Sequence, residues 1–251
     1  MKKFIFLLIS FSSITVFSQR DTSPDTIQTS LGKLVIQPIL HGSIVLSWNN
    51  KTIYLDPYGG AERFEPFKRP DIILITDIHG DHLDLKTLDA LDTRRSRLFA
   101  PQAVKDELPK VLQEQVIVIE NGQTMILGDI EILAIPMYNL PETEDSRHPK
   151  GRGNGYILTL GGKRLYISGD TEDIPEMRNL TDIDIAFVCM NLPYTMSIDQ
   201  AASAVKDFKP KLIYPYHYRG KGGLSDVRSF KDQIDQAQLN IEVRIKDWYS
   251  E

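Results

Sequence analysis

The chain has 251 residues, 41% of them hydrophobic and 25% charged, with 16 Gly, 14 Pro, five His and one Cys. These fractions exclude disordered, collagen-like and coiled-coil chains, and 29 Lys and Arg against 34 Asp and Glu give a formal charge of −5 and no electrostatic footprint for nucleic acid. The single cysteine, Cys189, supports neither an internal disulfide nor a thiolate-rich zinc cluster, so any metal site has to be built from His and carboxylates.

Residues 1–18 read as a secretory signal: Lys2 and Lys3 precede an apolar run broken by serines, and Val16 and Ser18 supply the cleavage pattern before Gln19. The run is short for a membrane span, which predicts an exported chain, periplasmic or extracellular, without a stable membrane anchor. Its removal takes two lysines and leaves the mature chain more acidic. The polar stretch 19–30, with Pro24, reads as a flexible leader, and 31–251 as a single domain.

From Leu34 onward, short β-rich runs are separated by turn residues. Runs 34–39, 43–48 and 52–55 predict a meander with a tight turn at Asn49-Asn50. The continuous apolar run 72–76 predicts a strand buried on both faces. A helix is expected near 85–91, a strand at 98–100, and a helix over 102–108 that stops at Pro109. Strands return at 116–119, 124–127 and 130–135, turned by Asn121-Gly122 and Gly128-Asp129. The irregular stretch 136–155 is long enough to suggest a functional loop. Strands 156–160 and 164–168 flank a Gly161-Gly162 turn. Runs 183–188, 212–214 and 241–245 are later strands, while 198–208 and 227–239 carry apolar residues at helical spacing. Meanders followed by strand and helix in alternation, in both halves, predict an α/β chain of two mixed sheets covered by helices.

The densest chemical signal is Thr76-Asp77-Ile78-His79-Gly80-Asp81-His82, directly after the buried run. Four metal-capable side chains within six residues converge without long-range help, with Gly80 letting the loop fold tightly. A cap on the next helix, from Asp81 or Asp84, is the plain alternative for one of these residues and does not account for their density. The segment resembles the H-x-H-x-D-H signature of the metallo-β-lactamase superfamily, with Asp77 where the first His is usual. The resemblance runs over residues 34–245, and the later motifs follow in family order. His41-Gly42-Ser43 and Tyr54-Leu55-Asp56-Pro57 are similar to the opening strands and their Asp-Pro turn. Tyr166-Ile167-Ser168-Gly169-Asp170-Thr171 resembles the strand that ends in a metal-bridging Asp, and Pro215-Tyr216-His217-Tyr218 the final His motif. The run from His148 through Lys150-Gly151-Arg152-Gly153-Asn154-Gly155-Tyr156 resembles the branch containing L-ascorbate-6-phosphate lactonase and N-acyl-phosphatidylethanolamine phospholipase D.

The resemblance implies an αββα four-layer sandwich with a two-metal site along one sheet edge. Asp81, His82 and His217 would hold one ion, Asp170 would bridge, and Asp77 and His79 would hold the other. Where the family has a His after run 130–135, this chain has Met137-Tyr138-Asn139, so the remaining ligand is either Asn139, through its amide oxygen, or His148. Asp81 and His41 are the expected catalytic groups, Asp81 orienting water or shuttling its proton and His41 beside the ions as a donor. Tyr194, Tyr216 and Arg152 are further candidates for meeting oxyanion charge, and Lys150-Gly151-Arg152 for receiving an anionic group. Asp77 adds a hard anionic donor to Asp81 and Asp170, a set that suits Mn²⁺ or Fe²⁺ better than an all-nitrogen site does, with Zn²⁺ still the default. The implied reaction is metal-assisted hydrolysis of a lactone, amide or phosphoester in a small molecule. Two alternatives stand beside it: a non-catalytic metal- or ligand-binding module on the same fold, suggested by Asp77 and Asn139, and catalysis with a single ion.

Overall fold

Two seven-stranded mixed sheets repeat one plan in a computed structural model that describes residues 22–249 other than Glu144. The expected signal at 1–18 lies outside the described residues. The first sheet runs in the order β1 (Asp25–Thr29), β2 (Gly32–Leu40), β3 (Ser43–Trp48), β4 (Lys51–Leu55), β5 (Ile72–Leu74), β6 (Arg97–Ala100) and β7 (Val116–Val118). Its first four strands pair antiparallel and the rest parallel. The second sheet follows suit: β8 (Thr124–Leu127), β9 (Ile130–Met137), β10 (Gly153–Leu160) and β11 (Lys163–Ile167) form the meander. Strands β12 (Ile185–Cys189) and β13 (Leu212–Tyr216) then join in parallel. A hairpin of β14 (Arg219–Gly220) and β15 (Gly223–Leu224) precedes the last parallel strand, β16 (Glu242–Val243).

Parallel pairing requires crossovers, and these carry the helices: α1 (Leu85–Ala90), α2 (Gln102–Glu107), α3 (Lys110–Gln113), α4 (Pro175–Arg178), α5 (Ile198–Phe208) and α6 (Val227–Gln236). The side-chain period of two sorts each central strand between the two cores. Ile44, Leu46, Ile53, Leu55, Ile72 and Leu74 pack between the sheets with Ile132, Leu158 and Ile167. Their neighbours Val45, Tyr54, Ile73 and Ile75 face Leu88 and Val104 of the outer helices. The expected four-layer sandwich follows directly, and it sets the C-terminal ends of β4, β5, β11 and β13 along one edge, where parallel sheets place ligands.

The structure corrects several expectations. Asp25–Thr29, expected in a flexible leader, is strand β1. Its polar residues hide an edge strand fixed from the side: Trp48 Nε1 donates to Thr29 Oγ1 at 3.0 Å, and Tyr214 Oη and Arg244 Nη1 donate to Asp25 Oδ2 at 2.6 and 2.8 Å. The long loop is shorter than 136–155, because β9 continues to Met137 and β10 starts at Gly153. Pro109 ends α2 as expected but also caps α3, since proline is well tolerated at a helix start.

The Gly153-Asn154-Gly155-Tyr156 run joins the sheets at the site edge. Asn154 N donates to Thr76 O at 2.9 Å, Asn154 Nδ2 to Ile119 O at 2.8 Å, and Tyr156 Oη to Ile75 O at 2.7 Å. These contacts satisfy carbonyls that the short strands of the first sheet would leave unpaired. A Cβ at Gly155 would lie 2.9 Å from both Ile167 O and Ser168 O. Gly155→Ala is therefore expected to cost about 1–3 kcal/mol through overpacking against backbone. Thermal unfolding should show a lower midpoint; an unchanged midpoint would mean β11 gives way freely.

Candidate metal centre

Asp77, His79, Asp81 and His82 sit on the loop between β5 and α1. His79 O accepts from His82 N at 2.9 Å and Leu83 N at 2.8 Å, and Asp84 caps α1, so the loop closes on itself just before the helix. Gly80 contributes less than expected: it lies outside the left-handed region, and a Cβ there would meet nothing within 4 Å. The His79 turn, rather than glycine freedom, gathers these residues.

All five histidines of the chain fall in three clusters of candidate ligands at this edge: His41, Asp81 and His217; Asp77, His79 and His148; His82, Asp170 and His217. His82 Nε2 and His217 Nε2 are 3.2 Å apart. Asp170 Oδ2 lies 3.4 Å from His82 Nε2 and 3.4 Å from His148 Nε2, and its Oδ1 lies 3.4 Å from His217 Nε2. Asp81 Oδ2 is 3.2 Å from His217 Nε2. On the other side Asp77 Oδ2 is 2.6 Å from His79 Nδ1 and 3.8 Å from His148 Nε2. Asp170 thus faces both halves of the cluster.

Two imidazoles are oriented from behind. Asp56, after β4, accepts from Thr76 N at 2.8 Å and Thr76 Oγ1 at 2.6 Å, and its Oδ2 lies 2.8 Å from His82 Nδ1. A carboxylate on Nδ1 fixes the orientation of the ring, with Nε2 turned toward Asp170 and the rest of the cluster. Asn139 does the same for His148: its Oδ1 accepts from His148 N at 2.8 Å and sits 3.0 Å from His148 Nδ1. Its Nδ2 donates to Tyr194 O at 2.9 Å and Glu172 Oε1 at 3.2 Å. Of the two residues left open by sequence, His148 is the one whose Nε2 enters a candidate cluster, while the Asn139 oxygen is occupied in holding that ring.

Burial alone would raise the Asp170 and Asp81 carboxyls, but the surrounding His217 and His82 imidazoles outweigh it and hold both well below the usual range. Burial would also lower His82, yet Asp170 and Asp56 keep it well above its ordinary value. His41 differs: burial, with the charge of His217, pushes it down to about 4. Its ring meets the edges of Tyr58, His217 and Tyr249, with Nδ1 3.3 Å from Tyr249 Oη.

Buried polar atoms normally have partners, but His148 Nε2 and Asp170 Oδ1 have none in hydrogen-bond geometry. Lone pairs from buried imidazole and carboxylate groups converging with nothing to receive them fit a divalent cation on N and O donors. Other expected site residues have different work. Tyr216 Oη accepts from Gly169 N at 2.9 Å inside the core. Arg152 donates from Nε and Nη2 to the two oxygens of Asp77 at 3.2 and 3.1 Å. Lys150 is engaged by Glu142 and Glu176 at 3.2 and 3.1 Å. The Lys150-Gly151-Arg152 cluster is therefore already neutralised by carboxylates. The open side is instead a cavity of about 290 Å³ lined by His41, Asp81, Asp170, Tyr194 and three cations, Arg147, Arg219 and Lys221. Of its walls outside the candidate ligands, Tyr194 and His41 are named from sequence but Arg147, Arg219 and Lys221 are not; Asp56 and Thr76 enter there only within motifs, without a role, and Tyr249 not at all.

Facing mixed sheets with a His and Asp cluster across the ends of their parallel strands define a metallo-hydrolase centre. Residues 36–217 match the beta-lactamase superfamily domain, and the chain belongs to the metallo-β-lactamase superfamily as a metal-dependent hydrolase. A UPF0173 metal-dependent hydrolase of Pyrococcus horikoshii is 30% identical over 207 residues, covering 76% of this chain and 89% of that protein. A crystal structure of a Parabacteroides distasonis protein assigned to the metal-dependent hydrolases superimposes with TM-score 0.81 at 41% identity, over 91% of this chain and 100% of that one. The metallo hydrolase Igni18 of Ignicoccus hospitalis shares the fold at TM-score 0.72 and 24% identity, over 86% of this chain and 96% of that one.

Proposed function

We propose that Asp81, His82, Asp170 and His217 hold one divalent ion, that Asp77, His79, His148 and Asp170 hold a second, and that the chain hydrolyses a lactone, amide or phosphoester of a small molecule. The observation that carries this reading is Asp170, whose two oxygens reach His82, His148 and His217 at the same 3.4 Å. Zinc suits the four imidazoles, and manganese or iron the three carboxylates. When bound, the ions acidify water and polarise the substrate's carbonyl or phosphoryl oxygen.

The remaining work belongs to the chain. Asp81 lines the cavity with its side chain 33% exposed, so its carboxylate is placed to orient the attacking water. His41, steadied by Tyr58 and Tyr249, presents its ring to the same cavity as a donor to developing negative charge. Asp56 and Asn139 keep two ligand rings from rotating. The alternative of a non-catalytic module rests on Asp77 and Asn139; the grouping of His148 with Asp77 and His79 supports the hydrolase reading over it.

The test is metal content against turnover. Purified protein should carry up to two divalent ions per chain, lose hydrolysis of an ester and lactone panel on chelation, and regain it with Zn²⁺ or Mn²⁺. Protein that binds neither ion, and is inert after both are supplied, would sink the reading.

A further inference from the structure

We infer that the substrate carries an anionic group, a carboxylate or phosphate, beside the bond that is cut, and that Arg147, Arg219 and Lys221 receive it. The inference rests on the hydrolase reading and narrows its substrate class. Around the metal centre most cations are spoken for: Arg152 by Asp77, Lys150 by Glu142 and Glu176, Arg178 by Asp173 and Asp207. Arg147, Arg219 and Lys221 line the cavity, and none has a carboxylate partner among the described residues. In a chain with 34 acidic and 29 basic residues, three cations without carboxylate partners gather around one small cavity whose own carboxylates, Asp81 and Asp170, face His82, His148 and His217, so the positive charge stands free for a ligand.

Their placement is prepared as well as charged. The Arg147 guanidinium lies 4.5 Å over the Tyr194 ring and that of Arg219 lies 4.2 Å over Tyr249, so each planar head rests on an aromatic face with its edge donors free. Arg219 and Lys221 belong to the β14–β15 hairpin, which is pinned to the loop after β12. Lys221 N donates to Leu192 O at 3.0 Å, Ser225 Oγ to Met190 O at 2.5 Å, and a Cβ at Gly220 would collide with Leu192 O at 1.9 Å. Arg147 comes from a different segment, one residue before His148 in the loop between β9 and β10. Cations from two chain segments that line one cavity with His41, Asp81 and Asp170 would bind the anionic end of a molecule while its reactive bond lies at the candidate ligands.

Matched esters decide the matter. Zinc-loaded protein is compared on 4-nitrophenyl acetate and on mono-4-nitrophenyl glutarate, which shares the leaving group and adds a carboxylate. The wild type should prefer the glutarate ester in kcat/KM by about ten-fold or more, mainly through KM, as charge-assisted hydrogen bonds imply. The preference should weaken in high salt. Arg147→Gln/Arg219→Gln, and separately Lys221→Gln, should collapse that ratio without changing metal content. Calorimetry with glutarate and with phenylphosphonate on the same proteins distinguishes the two anions: whichever binds more tightly, and loses more affinity in the double variant, identifies the class. Equal kcat/KM for the two esters in the wild type, or a preference that survives the double variant, would overturn the inference. If neither ester is turned over although zinc is bound, the hydrolase reading suffers, and calorimetry still decides: no binding of either anion, or binding unaffected in the double variant, overturns the proposal.

Discussion

Asp170→Ala is expected to cost the protein both ions. Losing a group that merely orients a ligand, as Asp56→Asn would, weakens metal binding about 10–100-fold. Asp170 is different, because its carboxylate is 3.4 Å from three imidazole nitrogens, those of His82 and His217 on one side and that of His148 on the other. If two ions are held as proposed, its removal would delete one donor from each set and a negative charge that would balance them. Metal content should fall from as many as two ions per chain to none after dialysis, with turnover falling by more than the Asp56→Asn variant shows. The fold should persist, since the site edge is tied by Asn154 and Tyr156 rather than by Asp170. A further readout follows from linkage: a ligand present at a thousand times its Kd stabilises by about 4 kcal/mol. Zinc should therefore raise the unfolding midpoint of the wild type and leave that of Asp170→Ala where it is. A variant that keeps both ions, or still gains stability from zinc, would remove Asp170 as the bridge.

The sandwich was legible because its signals are local. Buried parallel strands read as unbroken apolar runs, as Ile72–Leu74 does, and the meander strands alternate. The loop 76–82 was legible for the same reason, with four candidate ligands in one turn. What escaped depends on partners brought from far along the chain. Asp56 lies 26 residues before His82 and Tyr249 lies 208 after His41, so nothing in spacing ties either pair. Asn139 and His148 could be ranked only by hydrogen-bond capacity: an amide oxygen that takes two donors from His148 has no lone pair aimed at the cluster. Adjacency in sequence also misled. Lys150, Gly151 and Arg152 suggested an anion site, yet Glu142, Glu176 and Asp77 neutralise it, while Arg147, Arg219 and Lys221 are distant in sequence and meet only in the folded chain.

The departure from the family signature at Asp77 carries the second large effect, through Arg152. An imidazole ligand is neutral, whereas Asp77 brings a fully buried negative charge. Burial would raise its carboxyl, but His79, His82 and the Arg152 guanidinium together hold it below the usual range. Arg152, with 20% of its side chain exposed, bonds both Asp77 oxygens and so neutralises the extra charge while the site has no cation. Breaking a buried ion pair by removing one partner costs about 3–5 kcal/mol, and the partial exposure of Arg152 places Arg152→Met at the lower end. In metal-free protein this should lower the unfolding midpoint by several degrees, at about 2–4 °C per kcal/mol for a chain of this size. In zinc-saturated protein an ion held by Asp77 as proposed would supply positive charge where the guanidinium was, so much of the loss should return. The two results are linked by one thermodynamic cycle: a substitution that destabilises the metal-free form more than the loaded form must tighten metal binding by the same free energy. Arg152→Met is therefore expected to bind its second ion about ten-fold or more tightly than wild type, each factor of ten matching about 1.4 kcal/mol of the stability difference. Midpoints with and without chelator, and competition titrations with a zinc indicator, measure the two sides independently. Equal destabilisation in both states, or a weaker second ion, would show that Arg152 aims Asp77 at the metal rather than standing in for its charge.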